Sequence, residues 1–406
     1  MNQADYDVII VGARASGASL AILLGRQGKK VLLIDKASFP SDTLSTHHLS
    51  HLDYLRQLGV LEDVEKGGLR KITRMRTYIK DSLVEGPRTA YTLAPKRDFL
   101  DYILIKQALD NPTVALREQT RVTGLVWNSV RVFGVEVVGE SGRRENIHAP
   151  IVVGADGMRS KIAEWVGAEK YNELPALRPV FYGYYQGIEP LEEPATEIFL
   201  QDGRIGFLFP MEHGRDCLGL EIHPDEFKAF AGKPQKMFEY HYQQFYRMDN
   251  RMKHAKLEGR LTGSAGVENF FRTPFGKGWA LIGDAGHSKD PSTGLGINDA
   301  FLQSFLLADA IEQYSGGADW DKVMSEFHQN RDQQLMPSYE LTLDYIQSLR
   351  PWSSKETAYM NTMAANPIVW NKITPHLPEL LEHHSKDTPI LWQAIKQEAE
   401  SMMTDE

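Results

Sequence analysis

The chain has 406 residues, 42% of them hydrophobic and 24% charged, with a formal net charge of -9 at pH 7. That length exceeds one simple core and predicts two domains, contiguous or interleaved, while the acidic balance excludes a general binder of nucleic acid or anionic membrane. A single cysteine, Cys217, excludes an intrachain disulfide and a cysteine-rich metal site. With no apolar run of roughly 20 residues and an N-terminus that leads straight into a strand, the expectation is a cytoplasmic protein without stable membrane insertion.

Tyr6-Asp7-Val8-Ile9-Ile10-Val11 reads as a buried strand, closed by Gly12-Ala13-Arg14-Ala15-Ser16-Gly17. A helix continues through Ala18–Leu24, Gly28 ends it, and Val31–Ile34 forms a second strand running into Asp35. A strand–helix–strand unit of about 30 residues, with an acid about 20 residues beyond the glycines, meets the requirements of a dinucleotide site. Gly12 makes the tight turn, Gly17 lets helix and strand pack closely, and Asp35 can hold a pair of ribose hydroxyls. Arg14 stands where the fingerprint has a glycine, so its guanidinium either lies outward or contacts the ligand itself.

Ser45-Thr46-His47-His48 precedes a helix predicted over Leu49–Leu58. These histidines either line a ligand cleft or lie solvated beside capping hydroxyls. Residues 72–95 alternate as two strands around Gly86-Pro87, a hairpin of a second sheet. Arg97 opens the helix Asp98–Ala108, as a surface charge or as a partner for phosphate or ribose. Strands follow at Val114–Leu116, Arg121–Trp127 and Val130–Val138.

A second strand-end motif, Ile151-Val152-Val153-Gly154-Ala155-Asp156-Gly157, leads through Ser160 into a short helix. Val180–Ile222 reads as antiparallel strands rich in Tyr, Phe and Gly. Each aromatic taken singly is sheet packing; their concentration favours an apolar cavity beside the sheet. Glu226–Met248 is helical, and helices recur beyond Ile311, including Asp321–Asn330 and Thr342–Leu349. The third motif is the strand Trp279–Ile282, Gly283-Asp284, and a loop through Pro291 to Gly294-Leu295-Gly296-Ile297-Asn298 that opens a helix. An acid at the end of a parallel strand points into the ligand crevice, and a helix start offers N–H groups and the positive end of its dipole.

Three such motifs in this order resemble the class A, aromatic-hydroxylase type of FAD-dependent monooxygenase, over roughly residues 5 to 310. The resemblance implies an α/β fold, a Rossmann-type FAD-binding domain interleaved with an antiparallel β-sheet substrate domain, plus C-terminal helices. The corresponding boundaries are 1–71, 96–178 and 270–312 for the first, 72–95 and 179–269 for the second, and 313–406 for the helices. It also implies non-covalent FAD, NAD(P)H as reductant, and insertion of one oxygen atom into a small aromatic or apolar substrate through a flavin hydroperoxide. The implied FAD contacts in the first half are Gly12, Ala13, Arg14, Ala15, Ser16, Gly17, Asp35, Lys36, Arg97, Val122 and Asp156. Those in the third motif are Gly283, Asp284, Gly294, Leu295, Gly296, Ile297 and Asn298, with Asp284 on the ribityl chain. His47, His48 and Pro291 are the catalytic candidates, with a neutral histidine as base or orienting group, and no metal is expected.

The alkene-reducing geranylgeranyl reductases resemble the chain too, through Phe209, Pro210 and Gly219, although Ile205, Phe207 and Glu221 depart from their pattern. Flavin halogenases share the FAD motifs, but their Trp-x-Trp-x-Ile-Pro signature is absent from this sequence. A flavin-binding protein without catalysis is the remaining alternative.

Overall fold

A computed structural model describes residues 4–348, apart from 44 and 46. Thr46, the expected helix end at Leu349 and the stretch 350–406 therefore lie outside the described residues. The chain divides into two compact units, each assembled from separate segments. Among the described residues, the first takes 4–69, Ala94–Pro175 and Glu268–Gln333; the second takes Arg70–Leu93, Ala176–Val267 and 334–348.

In the first unit, β1 (Val8–Val11), α1 (Ala15–Arg26) and β2 (Val31–Ile34) form the expected strand–helix–strand turn. They are followed by α2 (Arg97–Leu109), β3 (Val114–Arg117), β4 (Ile151–Gly154), α3 (Lys161–Trp165), β5 (Trp279–Leu281) and α4 (Gly296–Ser315). The large sheet runs β3-β2-β1-β4-β5, all parallel, with the short strand Phe275–Gly276 antiparallel at its edge. β1, β2 and β4 are buried along their whole length, which explains why they read as unbroken apolar runs. Each such Val, Leu or Ile contributes roughly 1.5–3 kcal/mol through burial. The order reverses between β1 and β4, so the crevice at their C-terminal ends is the topological switch point where α/β sheets bind ligands.

Residues 313–333 belong to the first unit, not to a separate helical region, because their apolar side is buried. Trp320 donates from Nε1 to the Gly276 carbonyl at 3.0 Å and packs on Tyr314. Arg331, fully buried, donates to the Arg272 carbonyl and the Tyr171 hydroxyl. The helices expected at 321–330 and from 342 are one helix, Trp320–Ser348, which continues through Pro337.

The second unit is built on a seven-stranded sheet whose strands from Val180 to Ser264 pair antiparallel. Ala195–Gln201 instead pairs parallel with Ile72–Ile79. The hairpin turns at Lys80-Asp81, with Lys80 left-handed, and not at Gly86-Pro87. Pro87 lies within the edge strand Ser82–Thr92, where a missing N–H on the solvent side leaves the ladder intact. The helix expected over Glu226–Met248 is broken at Lys233-Pro234, since proline disfavours helical backbone just before it, and again at Phe245, which is extended and followed by the left-handed Arg247.

These helices cover one face of the sheet. Phe230, Phe238, Tyr242 and Phe245 pack on Phe181, Tyr185, Phe199 and Leu208. By strand alternation the other face carries Tyr182, Tyr184, Phe207 and Phe209. The ring of Phe207 lies across Gly219, where a Cβ would meet it at 1.7 Å.

Candidate active site

At the switch point the two turns are in direct contact. A Cβ on Gly12 would lie 2.2 Å from the Ala155 carbonyl oxygen, and Gly12 has φ +107, so only glycine fits. Ala13, Ala15, Ser16 and Gly17 are buried, and the Ala13 N–H donates to Asp35 Oδ2 at 2.8 Å. Asp35 Oδ1 accepts from the Ala37 N–H at 2.8 Å, so this half-buried carboxylate also braces the turn it closes. Lys36 beside it is exposed, and Val122 is half-buried against the core of the large sheet.

Arg14 resolves its two sequence readings in an unforeseen way. Its guanidinium donates to Asp101 Oδ2 at 3.0 Å, the Ser41 carbonyl at 2.9 Å and the Asp42 carbonyl at 3.1 Å, and lies over the Phe39 ring. Arg97, from the same helix as Asp101, binds the Asp101 carboxylate with both Nε and Nη2 at 3.0–3.1 Å. The result is an Arg–Asp–Arg chain with one net positive charge, tying the first turn to α2. Asp101 escaped sequence reasoning, although its spacing of four from Arg97 on a helix was the available signal.

Asp156 corrects an expectation. Its carboxylate accepts from Ser160 Oγ at 2.5 Å, the Lys161 N–H at 2.7 Å and the Ile162 N–H at 3.3 Å. It is committed to the start of α3, whose orphan N–H groups need acceptors, and a direct cofactor role for the side chain is not supported. Burial nevertheless raises its pKa, against those hydrogen bonds.

Asp284 has the opposite environment. From Gly278 to Asp290 every residue is buried except Asp284. Its side chain meets solvent on one side while protein surrounds it on the others. That loss of hydration pushes its pKa up to about 6; Arg97 pulls it down and Asp299 pushes it up. Gly283 beside it is held near Ser16, so the first and third motifs meet.

The loop after Asp284 turns through Pro291–Thr293, and Gly294, at φ +67, brings it into α4. Leu295 precedes α4, and Gly296, Ile297 and Asn298 form its first turn, where N–H groups have no partner within the helix. Gly296 is exposed, and a Cβ there would meet nothing within 4 Å. Asn298 is buried; its Nδ2 donates to Ser50 Oγ at 2.7 Å, while its Oδ1 accepts no hydrogen bond among the described residues.

His47 and His48 are both buried in this unit, not solvated. His48 packs against Gly294, whose Cβ would lie 3.4 Å from His48 Nδ1. Together with the Asn298–Ser50 bond, this contact accompanies a non-helical course for residues 47–51, and the helix expected from Leu49 starts only at Asp53. His47 has φ 60 and hydrogen-bonds the Pro95 carbonyl. Burial, then the Arg97 charge, hold its pKa down at about 3. Such an imidazole is neutral at working pH but a poor proton acceptor, so the role of general base is not supported for His47. Pro291 is half-buried at the loop's start. Among the described residues no group of three or more His, Cys, Asp or Glu is placed to hold a metal ion, and no helix is long and apolar enough to cross a membrane.

A switch-point crevice, an open acid at a strand end, an open glycine at a helix start and an unpaired buried Asn acceptor fit a dinucleotide that reaches from the first turn to the third. These features define an FAD-dependent oxidoreductase. Residues 5–337 match the family described as FAD binding domain, and the chain belongs to it. Among its relatives is the digeranylgeranylglycerophospholipid reductase of Methanosarcina acetivorans, 24% identical over 340 residues, which are 80% of this chain and 80% of that one. Among solved structures, the flavin-dependent brominase Bmp2 has a TM-score of 0.80 at 19% identity, covering 99% of this chain and 100% of its own. The p-nitrophenol 4-monooxygenase PnpA of Pseudomonas putida DLL-E4 has a TM-score of 0.78 at 17% identity, covering 95% and 100%.

Proposed function

We propose that this enzyme is an NAD(P)H-dependent monooxygenase that inserts one oxygen atom into a small aromatic or apolar substrate. The observation that carries the reading is the aromatic face of Tyr182, Tyr184, Phe207 and Phe209, in the unit that also carries the large antiparallel sheet. FAD, when bound, supplies the two-electron chemistry and the activation of oxygen. The overall balance is substrate, O₂, NAD(P)H and a proton giving hydroxylated substrate, water and NAD(P)⁺.

This chain's residues hold and orient. Asp284 accepts hydrogen bonds from the ribityl hydroxyls, and Asp35 from the adenosine ribose. The first-turn N–H groups of α4, with the helix dipole, stabilise negative charge at Gly296–Asn298. His47, neutral and fixed by Pro95, orients polar groups without taking up a proton. Arg14 and Arg97, joined through Asp101, leave one positive charge for the pyrophosphate.

Reduction of an isoprenoid double bond is the second reading, favoured by the reductase relative that spans 80% of this chain. The deciding experiment oxidises NADH or NADPH in air with a panel of phenols, aromatic amines and isoprenoid lipids, with bromide present or absent. Product mass increased by one oxygen atom supports the proposal. Product that gains two hydrogens overturns it in favour of reduction, and product that gains bromine only with bromide overturns it in favour of halogenation.

A further inference from the structure

Helix α4 carries a difficulty if its N-terminus is to face a negatively charged group. Asp299, in its first turn, suits the helix dipole but sets a second negative charge beside a ligand that would become negative on reduction. Asp299 is mostly buried, so water screens it weakly. Its field reaches the cofactor side of the motif, since it contributes to the raised pKa of Asp284.

Lys289 lies at the other end of the same loop, just after the short strand His287–Ser288. A lysine is rarely buried without a partner, and this one is only 9% exposed. Its Nζ lies 2.8 Å from Asp299 Oδ2. The neighbouring imidazole, His287 Nε2, is 3.8 Å from the same oxygen. It supplies no charge, because burial, then Lys289 and Arg331, hold it in the neutral form. The compensation of Asp299 by its near neighbours therefore rests on Lys289.

We propose that the buried Lys289–Asp299 pair tunes the flavin: Lys289 cancels the charge of Asp299, so that the N-terminus of α4 still favours the negatively charged, reduced cofactor. The pair also bridges the ends of the Asp290–Gly296 loop and holds it in place, so both residues are positioning residues. The inference rests on the FAD reading above.

The two single substitutions act in opposite directions. In Lys289→Met the uncompensated carboxylate disfavours reduced flavin; in Asp299→Asn the uncompensated ammonium favours it. At an effective dielectric of about 20, a unit charge roughly 12 Å from a bound flavin would change the ratio of affinities for its reduced and oxidised forms on the order of tenfold. For a two-electron couple that is about 30 mV. The double variant Lys289→Met/Asp299→Asn restores neutrality and returns towards the parent potential.

The test is spectroelectrochemical titration of FAD bound to the parent, the two single variants and the double variant. A negative shift for Lys289→Met, a positive one for Asp299→Asn and recovery in the double variant support the inference. Shifts of the same sign, or none, with FAD bound overturn it, because a purely structural clamp has no reason to invert sign. Should Lys289→Met fail to fold, the near-isosteric Asp299→Asn still decides, since its potential must rise. A parent that binds no FAD refutes the functional reading itself, which is a different outcome.

Discussion

Asp156 and Asp284 arise from one local pattern, an apolar parallel strand running into a small turn and an acid, and they end in opposite states. Asp156 is taken up by Ser160 and the N–H groups of Lys161 and Ile162. Asp284 stays open in a stretch of buried neighbours, with its pKa lifted to about 6. The difference comes from the backbone immediately C-terminal to each acid. Four residues after Asp156 a helix cap folds its first turn back onto the carboxylate. After Asp284 the chain turns at Gly286 into His287–Ser288, which pairs with Asn269–Arg272. No helix start returns to use the acid. A strand-end acid is therefore available to a ligand only where the succeeding backbone leaves it unsatisfied.

The largest effect separates the packed turn from the open one. Gly12→Ala forces a Cβ to 2.2 Å from a backbone oxygen, and the expected result is loss of the cooperative thermal transition. Gly296→Ala meets nothing, so its melt matches the parent while FAD binds more weakly. Equal melting of both variants would show that contact between the turns does not shape the crevice.

Next in size is the pair of acids. Asp284→Ala loses a charge-assisted acceptor and weakens FAD binding by roughly 1.5–3 kcal/mol, about 10- to 150-fold. Asp156→Ala loses the acceptor for the Lys161 and Ile162 N–H groups at a helix start and costs about 1 kcal/mol of stability, with FAD retained. Flavin release by ultrafiltration and thermal melts distinguish them, and an exchange of the two outcomes refutes the contrast.

A pH titration sharpens the same point. The folded pKa of Asp284, about 6, lies above the ordinary 3.8, so the folded apoprotein holds this proton more tightly than the unfolded chain. Stability from this group is present below 3.8 and is lost as pH rises through 6. FAD binding runs the other way, weakening as pH falls through 6 and the acceptor is protonated. In Asp284→Asn both slopes flatten; an unchanged slope assigns the titration elsewhere.

The smallest effect concerns His47. His47→Gln lowers turnover by less than about 100-fold, below the usual loss of a general base, and leaves the midpoint of the pH–rate profile in place. A shifted midpoint would restore His47 as the titrating base.

Much of this molecule is written locally. Strand periodicity, the glycines and the fully apolar runs Val8–Val11, Val31–Ile34 and Ile151–Gly154 determine the parallel sheet, because a strand buried on both faces must be apolar throughout. The family resemblance rests on the same stretches, and the match over residues 5–337 contains them. What only the tertiary structure decided is where polar groups find partners across long sequence separations. Arg14 reaches Asp101 and Ser41, Asn298 reaches Ser50, and His48 lies against Gly294. The hairpin turn at Lys80-Asp81 and the single helix through Pro337 were set in the same way, by register and packing over local proline signals. Backbone periodicity is a property of neighbours in sequence, whereas charge compensation and desolvation belong to neighbours in space.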